Sequence, residues 1–246
     1  MIIDSHCHVG KGDCLTDPAN TSASLKNYLQ QAQWAGINKT ILLPALNNTY
    51  HNLNKKIAAI TLRWPQKFVG FGMIHPVNDR GNEKDVIEKI VKEYNLSGLK
   101  IHKYDGHINR QICSEAAKYN LPILYDVMGD VAHVELLAQE FPKVNFIIPH
   151  LGSFADDWKA QQYFIHILAQ YPNIYTDTSG VRRFELLMRA YKSAGPNKII
   201  FGSDGPWLNP EVELFKIKAM RLSKDHLQMI LSQNIQSLMA QVKRLV

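Results

Sequence analysis

The segment 2–8 reads IIDSHCH, in which an apolar, strand-like start runs directly into a His-x-His pair. In a β-strand, residues two positions apart point to the same side. His6 and His8 are therefore expected to project side by side, with Cys7 facing the other way. Two imidazoles at this spacing can bind one divalent metal ion. Because so short a motif also arises by chance, the rest of the chain must supply further ligands.

The composition is that of an ordinary globular protein, with 46% hydrophobic and 20% charged residues among 246. The net charge of +6 is mildly basic, but no Lys/Arg-rich run is typical of a nucleic-acid or membrane tail. We therefore expect a small, anionic molecule as the substrate and neither nucleic acid nor membrane as a partner. A homo-oligomer is compatible with the sequence.

The cysteines and the N-terminal sequence bear on the compartment. Cys7, Cys14 and Cys113 form no C-x-x-C pair, which favours a reducing environment and argues against a disulfide framework. The N-terminus lacks the features of a signal peptide, and no apolar run is long enough to span a bilayer. These features predict a cytoplasmic protein.

Apolar strands alternate with amphipathic helices along the chain after the first strand and a polar loop at 9–21. The predicted strands are 37–45, 68–76, 96–103, 121–127, 144–150, 173–179 and 198–204. The predicted helices are 22–35, 52–64, 82–94, 109–119, 131–141, 157–170 and 184–194, and a further terminal helix covers 224–241.

Eight such units predict an α/β fold, namely a (β/α)8 TIM barrel with an additional C-terminal helix. We expect a single domain over residues 1–246. A doubly wound sheet is the alternative, but the G-x-G-x-x-G turn that such sheets often carry after their first strand is absent.

Titratable side chains end most of the predicted strands, where TIM barrels place their active sites. After the first strand these are His75, Lys100, His102, Asp126, His150, Asp177 and Asp204. Side-chain alternation places 146, 148 and 150 on one face and 200, 202 and 204 on another, with the apolar members filling the barrel. So many polar groups at one rim are costly to bury without a metal or a substrate.

Four segments then carry a family resemblance: 4–8 (DSHCH), 98–102 (GLKIH), 145–152 (NFIIPHLG) and 201–207 (FGSDGPW). They resemble, in order, the blocks of the amidohydrolase superfamily, specifically its amidohydrolase-2 branch of metal-dependent TIM-barrel hydrolases and decarboxylases. Asn234 resembles the closing motif of that branch. The resemblance implies one divalent metal ion, usually zinc, bound by His6, His8 and Asp204. It also implies that His150 stands beside the metal as an acid, a base or an electrophile.

The fifth strand departs from the family pattern. The branch tends to read Pro-Val-x-x-His-x-Gly there, whereas this chain reads PILYDVMG at 122–129, so that Asp126 takes the place of the histidine. A carboxylate can still be a ligand, and it favours harder metals such as manganese. Alternatively, His102 or His150 supplies the missing nitrogen, or the metal is absent, as the resemblance implies for some lactonases.

A divalent ion at this position would acidify water and polarise a carbonyl group, which predicts hydrolysis of an amide, a lactone or a related carbonyl. Asp204 is then the expected general base, and His150 is expected to stabilise the developing oxyanion. The alternative is a non-oxidative decarboxylase, in which His150 helps to direct protonation of carbon. The compact barrel favours hydrolysis.

Substrate contacts are expected from Lys100, His102, Arg182, Arg183 and Trp207, which end strands or lie in the loops that follow them. An arginine at this rim can bind a carboxylate with two hydrogen bonds. Lys100 resembles a lysine that is carbamylated in binuclear relatives, but a substrate-binding or salt-bridged lysine is the preferred interpretation.

Two other classes of protein are alternatives to this enzyme. Nucleases of the TatD type also begin with His-x-His, but their strand-four Glu and their Gly-Leu-Asp tripeptide are missing here. A degenerate barrel that binds a small ligand without turnover is the non-enzymatic alternative, and Asp126 is the reason to consider it.

Overall fold

The computed structural model describes residues 1–11, 22–154 and 157–244. Cys14 and most of the predicted loop at 9–21 lie outside these ranges. The strands are β1 Ile3–Lys11, β2 Ser22–Ala23, β3 Lys39–Pro44, β4 Phe68–Gly70, β5 Gly72–Met73, β6 Leu99–His102, β7 Ile123–Asp126, β8 Phe146–Ile148, β9 Ile174–Asp177 and β10 Ile199–Ile200. The helices are α1 Leu25–Ala35, α2 His51–Arg63, α3 Glu83–Glu88, α4 Arg110–Tyr119, α5 Val131–Glu140, α6 Trp158–Gln170, α7 Phe184–Ala194, α8 Pro210–Ala219, α9 Lys224–Gln228 and α10 Asn234–Ala240.

Parallel strands close into a barrel. One ladder runs β1-β3-β4 and the other runs β5-β6-β7-β8-β9-β10. The two ladders meet where Phe71 N donates to Leu42 O at 3.0 Å, so β4 and β5 form one barrel strand interrupted at Phe71. They meet again at a parallel bridge between Cys7 and Gly205. The predicted (β/α)8 barrel is thereby confirmed.

The barrel interior holds a small apolar cluster that is separate from the larger one between strands and helices. Its buried members are Ile3, Ile41, Leu43, Phe71, Leu124, Ile147, Ile200, Ile235 and Leu238. The last two belong to α10, so the additional C-terminal helix closes the end of the barrel away from the polar rim. Asn234 fixes this helix by donating to Pro196 O and Ile199 O at 2.8 and 2.7 Å, just before and at the start of β10.

The expected alternation on β8 is wrong. Ile147 faces the barrel interior, whereas Phe146 and Ile148 pack in the outer layer against the helices. His150 still reaches the rim because the chain leaves the strand in a tight turn, Pro149–Gly152, in which His150 has a φ of 60°. The left-handed backbone, rather than strand periodicity, aims this side chain.

An irregularity in β1 has a similar effect. The pairing register of β1 with β3 shifts between Asp4 and Cys7. In a regular strand, Ile3 and His6 would face opposite sides. The shift lets Ile3 fill the barrel while His6 and His8 also project towards its interior, with Cys7 packed in the outer layer.

Several helix boundaries differ from the predicted ones. The first helix begins at Leu25 rather than at position 22, because Ser24 is its N-cap and Ser22–Ala23 pairs with the end of β1. The predicted helix 82–94 is divided into two parts: α3 and, directly after it, a π-helical segment, Lys89–Glu93. The terminal helix is divided in the same way by Met229–Gln233. Within the described ranges, no helix is both long and apolar enough to cross a membrane.

Packing between β5 and β6 generates a stability prediction. A Cβ atom at Gly98 would lie 2.6 Å from the ring of Phe71 in the barrel interior. We expect Gly98→Ala to lower the free energy of unfolding by about 1–3 kcal/mol, measured by urea denaturation. In a Phe71→Leu background, where the ring is gone, the added effect of Gly98→Ala should be smaller. An equal effect in both backgrounds would contradict the packing explanation.

Candidate metal centre

Three side chains, from the first barrel strand and from the chain after the last one, meet at the polar rim. His6 and His8 come from β1, and Asp204 follows β10. The two Nε2 atoms are 3.1 Å apart, and Asp204 Oδ1 lies 3.4 Å from His6 Nε2 and 3.3 Å from His8 Nε2. All three residues are buried. The geometry therefore brings together three of the four predicted ligands.

Hydrogen-bond partners define which nitrogen of each histidine carries its proton. His8 Nδ1 lies 3.0 Å from Pro44 O, which can only accept, so Nδ1 is the protonated nitrogen. His6 Nδ1 lies 2.8 Å from Asp177 Oδ2, which fixes the same tautomer. Burial lowers the pKa of His6 to about 4 despite the opposing charges of Asp177 and Asp204, so this imidazole is neutral near pH 7.

With one ring proton on Nδ1, each imidazole presents the lone pair of Nε2 to the same point, and the two Nε2 atoms face each other across 3.1 Å. Such an arrangement is repulsive unless a cation lies between them. Ligand atoms about 2.0–2.2 Å from a metal ion lie roughly 3.0–3.5 Å from one another at tetrahedral or octahedral angles. The spacing of His6, His8 and Asp204 and their donor chemistry therefore fit a divalent metal ion.

Asp204 adds negative charge at this point. Burial alone would raise its pKa, but His6, His8 and His150 outweigh burial and hold the pKa of Asp204 well below its usual range. The residue also has a φ of 56°, in the left-handed region that non-glycine residues rarely adopt. Strained backbone of this kind is concentrated at functional sites.

A second set of side chains orients the centre. Asp177 is buried, and its other oxygen, Oδ1, accepts from the Ser179 hydroxyl and, at 3.0 Å, from Ser179 N. Asp4 lies beneath the histidines and accepts from Ser203 N at 2.9 Å and from the Tyr28 hydroxyl at 2.7 Å. Burial raises the pKa of Asp4 to about 6. Asp177 thus links β9 to β1 through His6, and Asp4 links β1 to the chain that follows β10.

Asp126 lies outside the compact group. Its Oδ2 lies 3.3 Å from His102 Nε2 and 3.6 Å from His150 Nε2, and its Oδ1 accepts from Met128 N at 2.9 Å. Because His102 Nδ1 accepts from Tyr104 N at 3.1 Å, His102 carries its proton on Nε2 and donates to Asp126. In this conformation, His102 Nε2 offers no lone pair to a metal.

His150 has the opposite tautomer. Its Nδ1 lies 2.7 Å from Ser179 O and must donate to that carbonyl. Burial alone would lower its pKa, but Asp126, followed by Asp204 and Asp177, raises the pKa of His150 to about 9. The ring lies 5.4 Å from that of His6, between centroids. The surrounding carboxylates therefore favour the imidazolium form of His150 beside the candidate centre.

Lys100 is fully buried at the same place, and within the described ranges its Nζ has no hydrogen-bond partner. Burial lowers the pKa of Lys100, and the charges of Asp126, Asp204 and Asp177 act in the opposite direction. An orphaned ammonium group at this depth indicates that an acceptor from a bound molecule or a water completes it.

The remaining predicted substrate contacts are spread over the rim. The Arg182 guanidinium lies 5.7 Å from the Phe154 ring centroid, and Phe154 contacts His150 edge to face. Trp207 follows Asp204 in a turn in which its N–H donates to Asp204 O at 3.1 Å. Arg183, by contrast, is an exposed side chain paired with Glu185 at 3.5 Å, so the structure does not bring it to the centre.

Sequence reasoning missed Asp105 and Tyr50, which are both buried in loops at the same rim. The Tyr50 hydroxyl donates to Asp105 Oδ2. Asp105 follows His102 by three residues, so its position just beyond a strand could have identified it. Tyr50 carried no comparable signal, because an aromatic residue before a helix is typical of ordinary packing.

Comparison with known proteins gives one family and many structures. The sequence model of the family described as Amidohydrolase matches residues 3–238. No curated protein matches the chain significantly.

Three of the solved structures illustrate the similarity. The 2,6-dihydroxybenzoate decarboxylase from Rhizobium has 16% identity and a TM-score of 0.73 over 97% of this chain and 98% of its own. A dihydroxybenzoic acid decarboxylase from Polaromonas sp. JS666, with bound manganese and 2-nitroresorcinol, has 17% identity and a TM-score of 0.73 over 97% and 96%. An uncharacterized TIM-barrel protein from Bordetella bronchiseptica has 16% identity and a TM-score of 0.73 over 98% of both chains. At these identities the structural likeness shows the fold alone.

The support of His6 by Asp177 generates a prediction about metal affinity. Asp177→Asn keeps the shape of the side chain but removes the charge that orients His6 and makes it a stronger ligand. We expect the affinity for Zn²⁺ or Mn²⁺, measured by isothermal titration calorimetry, to fall about 10- to 100-fold. The control is Asp130→Asn, which removes a rim carboxylate paired with Lys103. Unchanged affinity in Asp177→Asn would show that this support is dispensable.

Proposed function

The chain belongs to the amidohydrolase family, and from that premise we propose that it is a metal-dependent enzyme that hydrolyses an amide, lactone or related carbonyl of a small, carboxylated molecule. The observation that carries the proposal is the pair of buried Nε2 atoms of His6 and His8, whose lone pairs face each other at 3.1 Å beside Asp204. Neutral imidazoles in this arrangement need a cation.

His6, His8 and Asp204 would hold the ion. We propose zinc, with manganese as the alternative, because two imidazoles and a carboxylate suit both metals. Asp126 contacts His102 and His150 in this structure. That Asp126 itself binds the metal ion stays a prediction.

When bound, a divalent ion supplies Lewis acidity, which polarises a carbonyl oxygen and lowers the pKa of water. In the proposed hydrolysis, Asp204 takes the proton of the attacking water and returns it to the leaving group. His150 donates its Nε2–H to the negative charge that develops on the carbonyl oxygen. Asp126 holds His150 in its protonated form, because its carboxylate faces the imidazolium at 3.6 Å.

Positive groups around the pocket favour an anionic substrate. Lys100 offers a buried ammonium group without a partner among the described residues, whereas His102 donates its Nε2–H to Asp126 at the edge of the same site. Arg182 and Trp207 lie in loops at this rim, whereas Arg183 is exposed and paired with Glu185. Together with a divalent ion, these groups offset the carboxylates that line the centre.

Decarboxylation is the second candidate, and one observation favours it. His150 is an imidazolium near pH 7, so it is ready to give a proton to a carbon atom as a carboxylate leaves. Two decarboxylases share the fold, and the alignments cover 98% and 96% of their chains, so chain length no longer argues against this reaction. A metal-free lactonase or a ligand-binding barrel is less well supported, since either leaves the facing lone pairs without a cation.

The metal content tests the proposal directly. We expect protein purified without chelators, or reloaded with Zn²⁺ or Mn²⁺, to bind about one equivalent by elemental analysis and to gain thermal stability from it. His6→Ala and Asp204→Ala should lose both effects, because each removes a ligand. The control is His166→Ala, which changes an exposed histidine on α6. Protein that binds no metal after reloading would rule out this function.

The role of His150 generates a kinetic prediction. His150→Asn should retain the metal but lower kcat about 10²- to 10⁴-fold on the substrate found by screening lactones, amides and carboxylated aromatics. Measuring carbon dioxide release alongside acid release separates decarboxylation from hydrolysis. Retained metal with unchanged kcat would remove His150 from the chemistry, and His166→Asn serves as the matched control.

A further inference from the structure

A buried glutamine supports the turn that carries His150. Gln161 lies near the start of α6 and is 1% exposed, and neither proposed reaction uses it. Its Nε2 atom donates to His150 O at 3.1 Å and to Ser153 O at 2.9 Å. One side-chain amide therefore joins the carbonyl groups of the first and last residues of the segment 150–153, which we call the histidine turn.

The orientation of this amide follows from its partners. A carbonyl oxygen only accepts, so the group that faces the two carbonyls must be the NH2 group of Gln161. With the amide reversed, Oε1 would face two other oxygens. Oε1 itself is buried and has no hydrogen-bond partner among the described residues, so the side chain contributes the two bonds of Nε2.

The histidine turn has an unfavourable backbone conformation. His150, Leu151 and Gly152 have φ angles of 60°, 51° and 86°, so successive residues are left-handed and the first two are not glycine. Residues with a Cβ atom rarely adopt this region. Such a conformation persists only where the surrounding contacts impose it.

Contacts from other elements impose the conformation of the turn. Gly129, in the loop after β7, donates its N–H to Gly152 O at 2.8 Å. Within the turn, Ser153 N donates to His150 O at 3.2 Å, the same oxygen that Gln161 reaches. Removal of the Gln161 amide would take one donor from His150 O and one from Ser153 O, so the turn would open more easily.

The turn sets the direction of the imidazole. His150 Nδ1 donates to Ser179 O at 2.7 Å, and its Nε2 lies 3.6 Å from Asp126 Oδ2. Both distances depend on the direction of the Cα–Cβ bond of His150, which follows from its φ of 60°. A change of this backbone towards ordinary right-handed angles would turn the ring away from Ser179 and Asp126.

We propose that Gln161 is the positioning residue for His150: its amide holds the histidine turn closed, and the turn holds the imidazole against Ser179 and beside the candidate metal centre. Both bonds of the amide go to backbone oxygens of the turn, so Gln161 acts on the reaction through His150. The inference rests on the proposed function in one respect: it takes His150 to be the group that donates a proton to the substrate.

Exchange of the His150 Nδ1–H proton with water tests the positioning without a substrate. In NMR spectra of protein with isotope-labelled histidine, this proton is identified by its loss in His150→Asn, and we expect it to exchange more slowly than that of the exposed His166. Gln161→Met keeps the length of the side chain but has no N–H group. We expect exchange at least about 10-fold faster in this variant, because the turn opens more often. An unchanged rate, or a wild-type proton that exchanges as fast as that of His166, would overturn the proposal.

A second buried amide provides the matched control. Asn173 precedes β9 at the end of the barrel away from the rim, and its Nδ2 donates to backbone oxygens, those of Ala138, Phe141 and Val144. Asn173→Leu should lower the Tm but leave the His150 exchange rate unchanged. Equal acceleration in Asn173→Leu and Gln161→Met would show general stability instead of positioning. Gln161→Asn, which withdraws the amide by one methylene group, carries the same expectation and replaces Gln161→Met if that variant does not fold.

Kinetics connect the position of His150 with the chemistry. On the substrate found by screening, Gln161→Met should lower kcat at least about 10-fold with KM and metal content little changed, since a small displacement of a reacting group slows the step strongly. In a His150→Asn background, Gln161→Met should lower kcat no further, because the residue that it positions is gone. Equal losses in both backgrounds would assign Gln161 a structural role alone.

Metal content, measured on each sample, keeps this proposal separate from the function itself. A wild-type protein that takes up no metal fails the proposed function, whereas the exchange rates of the same protein and of Gln161→Met still decide whether Gln161 positions His150.

Discussion

The facing lone pairs of His6 and His8 are the constraint on which the rest of the site depends. Each imidazole is held in one tautomer by an acceptor on its far side, the Pro44 carbonyl for His8 and the Asp177 carboxylate for His6. Acceptors on two other strands, β3 and β9, therefore hold a ring proton on Nδ1 of each histidine and turn both Nε2 atoms towards the same point. Partners of this kind on the far nitrogen are typical of histidines that bind a metal through the other nitrogen.

Charge is arranged around that constraint. Asp126, Asp177 and Asp204 are buried carboxylates, and His150 and Lys100 are the cations that face them. Buried charges of one sign are unfavourable unless paired, so three carboxylates against two cationic groups favour a further bound cation. The same balance favours the protonated form of His150, because the Asp126 carboxylate lies 3.6 Å from its Nε2.

The sequence predicted the barrel well, because the information is local. Strand and helix alternation, together with the order of the motifs, was enough to find the fold, and the His6-x-His8 pair with Asp204 identified the centre. The sequence did not predict the direction of a side chain where that direction depends on the local backbone conformation. His150 is aimed by a left-handed turn and not by the alternation of β8, and the β1 register shift is invisible in residue types. Asp105 and Tyr50 were missed because their partnership joins loops 55 residues apart.

The contacts that close the barrel also decide when the centre can exist. His6 bonds to Asp177 across 171 positions of sequence, and Asp4 bonds to Ser203 across 199. During synthesis, β1 is made before the other barrel strands, so His6 and Asp4 find these partners only after the last two barrel strands have been made. Such distant contacts form late, because a long loop must close before they can form. The candidate ligands His6, His8 and Asp204 therefore come together only after nearly the whole barrel has been synthesised.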